Sequence, residues 1–156
     1  MELLLFLIGG TLYAFIELFW RGFTHWTMFL LGGFCFVIMG LLNEYKFSWK
    51  DSLIKQSVIS AMVITIFEFL TGCIVNIWLG WAVWDYSELP FNVLGQICLY
   101  YFLLWIPLSM IGIVLDDWIR YGLYLLLHKH FPKVKQREKP HYKLFRPVEL
   151  IKHKGV

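Results

Sequence analysis

The chain has 156 residues, 59% of them hydrophobic and 16% charged, with a net charge of +3. Soluble domains run nearer roughly 45–50% apolar and about 25% charged, so an ordinary soluble domain is excluded, and the length allows one domain. The mean hydropathy of +0.63 comes from long apolar runs rather than from alternation of apolar and polar residues.

The first run, Leu3–Trp20, predicts a membrane-spanning helix over about 3–20, because about 20 apolar residues at ~1.5 Å each cross a ~30 Å hydrocarbon core. No basic residue precedes it, and Glu17, Trp20 and Arg21 stand where a cleavage site of small residues would follow. It reads as a retained span rather than a secretory signal. The second run predicts a span over about 26–42. The third, from Ser57, predicts a span over about 57–80 broken strongly only by Glu68 and Asn76, and the fourth a span over about 93–115 with Pro107 as a possible kink. Asp116 and Asp117 then interrupt the pattern before it resumes at Trp118–Leu127. The expectation is a helix of about 117–127 lying along the inner interface; the alternative is a span shifted toward Leu127 with both aspartates buried. The fold class read from these runs is all-α: a polytopic membrane protein, a transmembrane domain over 1–127 and a basic tail over 128–156.

Charge orients the spans. The tail holds nine basic residues against Glu138 and Glu149, hence +7, which leaves −4 on the rest of the chain. Short basic segments stay in the cytoplasm. Both termini are therefore expected inside a bacterial plasma membrane, with the Lys46/Lys50/Lys55 loop inside and the Asp85/Glu88 loop outside. Trp20, Trp26, Trp78, Trp81 and Trp84 fall at the outer ends of spans one to three, where an aromatic belt belongs. Anionic lipid headgroups are the expected partner of the tail, at about 1 kcal/mol per Lys or Arg; nucleic acid is not.

Polar residues within the runs supply the candidate site. Glu68 lies near the middle of its span, where a carboxylate costs about 2.5 kcal/mol or more; such a residue has a partner or handles a ligand, ion or proton. Thr65, Glu68, Gly72 and Asn76 share one helical face, as do Gly10, Ala14, Glu17 and Arg21. Glu17 and Arg21 form an i, i+4 pair. Asn92 and Gln96 open the fourth span, and Asp85 lies in the outer loop, either capping a turn or closing over the cluster. Turned inward, Glu17, Arg21, Glu68, Asn76 and Gln96 would surround one cavity in the outer half of the bilayer, and Asp85 and Asn92 are counted with them as candidate ligand- or ion-binding residues. The bland reading of each is an ion pair or an interhelical hydrogen bond.

Cys35, Cys73 and Cys98 lie in apolar runs without a CxxC pair and read as buried hydrophobes. No GxxxxGK[ST], GxSxG or HExxH is present. His128, His130, His141 and His153 are scattered, so neither a metal site, a cofactor nor a catalytic set is expected.

Arg21-Gly22-Phe23, Glu68 with Gly72, Trp84-Asp85-Tyr86-Ser87, Pro90-Phe91-Asn92 and Gly95-Gln96-Ile97-Cys98-Leu99 together resemble a family of Firmicute membrane proteins described as Putative ABC-transporter type IV. The resemblance spans roughly Glu17 to Trp105 and implies a permease role. Two departures accompany it. His25-Trp26-Thr27-Met28 stands where the family often has a Gly-Pro and Cys-Pro-Ile-Tyr-Gly segment, and Gln96 stands where the family commonly has arginine.

The resulting expectation is a transport-associated subunit needing an ATPase, a larger permease or further copies of itself, since four spans are few and no Walker loop is present. A structural or holin-like assembly comes second. An intramembrane enzyme using Glu68 and Asp85 comes third, because no nucleophile is evident.

Overall fold

Apolar side chains on all faces leave the first run no stable alternative to a helix in lipid, and α1 runs Glu2–Arg21. The computed structural model describes residues 1–47, 51–130 and 137–145. Gly22 ends α1 in the left-handed conformation (φ 76°), returning its N–H to Leu18 O at 3.0 Å. His25 caps α2, Trp26–Tyr45, by accepting from the Thr27 amide. Ser52 caps α3, Leu53–Gly72, by accepting from the Lys55 amide. α3 continues into a π-helical turn, Cys73–Trp78. A short antiparallel hairpin follows, β1 Asn92–Val93 and β2 Ile97–Cys98, and leads directly into α4, Leu99–His130.

Four of these helical segments are long and apolar enough to cross a membrane: Glu2–Arg21, Trp26–Tyr45, Leu53–Trp78 and Leu99–Lys129. The protein is an all-α polytopic membrane protein. Its exterior suits lipid, with Phe15, Phe19 and Leu3 of α1 and Ile66 and Leu70 of α3 facing out.

α1 packs along α2 and α3 along α4. The first pair comes close because each helix offers glycines: a Cβ at Gly10 would meet Phe29 O at 2.6 Å, and one at Gly33 would meet Phe6 O at 2.7 Å. The chain direction places the start of α1, the end of α2, the start of α3 and the far part of α4 at one end of the bundle, here the terminal end. The π-helical turn and the β-hairpin lie at the other, the hairpin end. Each half has its own apolar core. Met28, Leu31, Cys35, Ile64, Val75 and Trp84 form one toward the hairpin end, and Leu5, Phe36, Met39, Leu53 and Ile113 form the other. Cys35 and Cys98 are buried, Cys73 is half-buried, and all three are free thiols.

α4 differs in extent from the span expected over 93–115. It starts at Leu99, because Asn92–Cys98 forms the hairpin, and it runs past Pro107, Asp116 and Asp117 to His130 as one helix. Trp118–Leu127 is its continuation.

Asp116 and Asp117 are fully buried within the bundle. Asp116 accepts from Arg120 Nε at 2.7 Å, and Arg120 grips the Glu2 carboxylate with two bonds of 2.8 and 2.9 Å. Gly40 makes room for Asp116, since a Cβ there would lie 2.6 Å from its carboxyl carbon. Asp117 accepts from Asn43 Nδ2 at 2.8 Å and from the Tyr142 hydroxyl at 3.1 Å.

The described part of the tail, 137–145, lies against this end. Arg137 pairs with Glu44, Ser52 Oγ donates to Leu144 O at 2.7 Å, and the Leu53 amide donates to Lys143 O at 2.9 Å. Lys50, Lys133, Lys135, Arg146, Lys152, Lys154, Glu149 and His153 lie outside the described residues.

Candidate functional site

Glu68 is 1% exposed, and both of its oxygens accept hydrogen bonds. The Tyr86 hydroxyl donates to Oε1 at 3.1 Å, and Trp105 Nε1 donates to Oε2 at 3.0 Å. Each donor ring is itself held by stacking: Tyr86 on Tyr101 with centroids 4.5 Å apart, and Trp105 on Tyr13 at 5.7 Å. Burial and the neighbouring Glu68 carboxyl push the Tyr86 phenol well above its ordinary range, so it keeps the proton it donates.

One turn beyond Glu68, Gly72 admits the Gln96 carboxamide and the Trp84 ring rather than a neighbouring helix; a Cβ there would lie 2.6 Å from Gln96 Oε1. Asn76, in the π-helical turn, donates to Gln96 Oε1 at 2.7 Å and accepts from the Val83 amide at 2.7 Å. Gln96 completes the knot, its Nε2 donating to Leu94 O and its carbonyl accepting from Trp84 Nε1 at 2.9 Å each. This knot fixes a strained segment. Ala82, Phe91 and Leu94 all have left-handed backbone (φ 48°, 54° and 52°), which non-glycine residues adopt only when their surroundings over-determine it.

Arg21 joins α1 to the same segment by donating Nη2 to Val83 O at 3.0 Å. Its guanidinium also lies over the Phe23 ring, 4.6 Å from the centroid. Glu17 accepts from the Thr24 hydroxyl through Oε2 at 2.7 Å. Its other oxygen is 3.7 Å from Arg21 Nη2, too far for a hydrogen bond.

The predicted residues therefore fall into three groups. Glu17 with Arg21, and Asn76 with Gln96, are linked through the two backbone faces of Val83. Glu68 lies on the same side of the molecule but is held by Tyr86 and Trp105. Asp85 and Asn92 are not in the cluster. Asp85 is exposed and accepts from both the hydroxyl and the amide of Ser87, which hold its carboxyl below the usual range. Asn92 braces the turn, donating to Ser87 O and Leu89 O and accepting from the Gly95 amide.

A cleft of about 360 Å³ opens between α1 and α4 beneath Tyr86. Glu17, Arg21, Tyr86, Tyr101 and Trp105 line its polar end, and Ile16, Leu108 and Ile111 its apolar end. The two donors that hold Glu68 thus form part of the cleft wall. Among the described residues no three of His, Cys, Asp and Glu converge as metal ligands. The arrangement can hold charge, accept hydrogen bonds and stack against a ligand.

Tyr86, Trp105 and Thr24 are the site residues that sequence reasoning missed. Trp105 carried a signal. It lies mid-run, away from the interfacial belts where tryptophan collects, and a buried indole N–H needs an acceptor.

No curated protein and no solved structure matches the chain. A family model does, over residues 5–133. The chain belongs to the family of membrane proteins described as Putative ABC-transporter type IV.

Proposed function

We propose that the protein is a transport-associated, permease-like subunit in which Glu68 is the solute-handling group and Glu17 and Arg21 flank the entry. The observation that carries this reading is the placing of Glu68. A carboxyl in a spanning helix costs about 2.5–3.5 kcal/mol relative to an apolar residue. Both of its hydrogen-bond donors, Tyr86 and Trp105, are walls of the cleft. A solute that displaced either ring would free a carboxylate oxygen to bind it.

The hairpin end is taken as external, so the cleft is served from the outer half of the bilayer. Hydrolysis of nucleotide is assigned to a separate ATPase chain, because the sequence has no Walker loop.

The test is purification of the tagged protein from native membranes in mild detergent, with mass spectrometry of what accompanies it. Co-purification of an ATPase, together with loss of its solute-stimulated turnover in Glu68→Gln, is the expected result. A homo-oligomer without an ATPase rejects the coupling. An ATPase whose stimulation survives Glu68→Gln rejects the role of Glu68.

A further inference from the structure

We infer that the cleft between α1 and α4 binds an amphiphile through an ammonium head: Glu17 and the surrounding aromatic faces take the cation, and the Leu108–Ile111 wall takes the alkyl tail. The inference rests on the transport reading only for its biological purpose. Three observations carry it.

The first is charge. Glu17 and Arg21, an ion pair at 3.7 Å, are the charged side chains lining the cleft, and the Arg21 guanidinium is already engaged by Val83 O and the Phe23 ring. Glu17 lines the cleft with an oxygen that has no hydrogen bond among the described residues. That oxygen can accept from, or pair with, a cation.

The second is the wall. Tyr13, Trp20, Tyr86, Tyr101 and Trp105 line the cleft, and aromatic faces attract quaternary and primary ammonium groups through their quadrupoles. Two of the pairs are already stacked, so the wall is built before a ligand arrives. The volume, about 360 Å³, lies within the range of small-ligand pockets, roughly 300–1,000 Å³.

The third is continuity. Ile16 and Ile111 line both this cleft and an apolar groove running on between α1 and α4 past Leu12, Phe15 and Leu115. A single tail can follow it while the head stays at Glu17.

The test uses the full chain in dodecyl maltoside micelles and dodecyltrimethylammonium carrying a diazirine in its tail. Saturable photolabelling near Ile16 and Ile111 is expected, prevented by unlabelled dodecyltrimethylammonium and not by laurate. Glu17→Gln should raise the half-saturating concentration at least about fivefold, and Leu108→Trp, which fills the cleft, should abolish the labelling. Equal competition by dodecylphosphocholine would assign the ammonium to a phospholipid headgroup, and its failure to compete would assign it to a free amphiphilic cation; both outcomes support the site. Labelling spread evenly over lipid-facing helices, competition by laurate, or unchanged affinity in Glu17→Gln overturns the inference. Where Glu17→Gln does not give monodisperse protein, unchanged labelling of Leu108→Trp overturns it. Because the co-purifying ATPase is scored separately, loss of the ligand with the ATPase retained rejects this ligand class and not the transport reading.

Discussion

Gln96 uses both ends of its carboxamide, accepting from Asn76 and donating to Leu94 O. An arginine at this position only donates and would leave Asn76 Nδ2 facing another donor. Asn76 and Gln96 are thus a matched pair. Gln96→Leu should lower stability by about 1–3 kcal/mol, the cost of an unsatisfied buried polar group. In a double-mutant cycle with Asn76→Leu, the two losses should fall short of additivity by about 0.5–1.5 kcal/mol. Thermal unfolding of the four proteins in one detergent measures this; strict additivity would mean that the two amides do not support each other. The depth of Glu68 was legible in the sequence because it needs only a residue count along one run. Its partners were not: Trp105 lies 37 positions away, and no periodicity within one helix reports which side chain of another helix will face it.

At the scale of elements, the helices were legible and the connection from 79 to 98 was not. Asn92 and Gly95 are turn residues, yet they interrupt an apolar stretch that reads equally well as the start of a span. Hydrogen bonding decides. The Asn92 side chain and the left-handed Leu94 and Gly95 close a hairpin, and a Cβ at Gly95 would lie 2.6 Å from Asp85 Oδ1. The tail shows the same limit. Its charge reads as a lipid-binding segment, whereas 137–145 also makes specific contacts with α2, α3 and α4. Burial pushes the Tyr142 phenol up, as does its neighbour Asp117, so it stays a donor. Tyr142→Ala removes that donor and the ring's packing against the Leu5–Ile113 core. The segment should then open more often, and trypsin should cut the Lys143–Leu144 bond about tenfold faster, corresponding to about 1.4 kcal/mol of lost docking. Cleavage at the wild-type rate would show that the Tyr142 contact does not hold the segment.

For the whole molecule, each end is closed by its own polar contacts. Glu2 with Arg120, Asn43 with Asp117 and Ser52 with Leu144 tie the terminal end, and Arg21 with Val83 and Asn76 with Gln96 tie the hairpin end. Lys46, Lys55, Lys129, Arg137, Lys139 and Lys143 all belong to the terminal end, whereas 79–98 has Asp85 and Glu88 and no Lys or Arg. A positive excess stays in the cytoplasm, so the prediction, with Arg21 as the one Lys or Arg at the hairpin end among the described residues, is that the hairpin end faces outside. With Cys35, Cys73 and Cys98 replaced by alanine, Glu88→Cys introduces a thiol at an exposed position of the hairpin end, and Tyr45→Cys one at the terminal end. In intact cells a membrane-impermeant maleimide should label Glu88→Cys at least roughly tenfold faster than Tyr45→Cys, with the difference vanishing on permeabilisation. The opposite pattern would turn the cleft to the cytoplasm. Glu17 and the aromatic wall of the cleft would then meet ligands from the cytoplasmic side of the membrane.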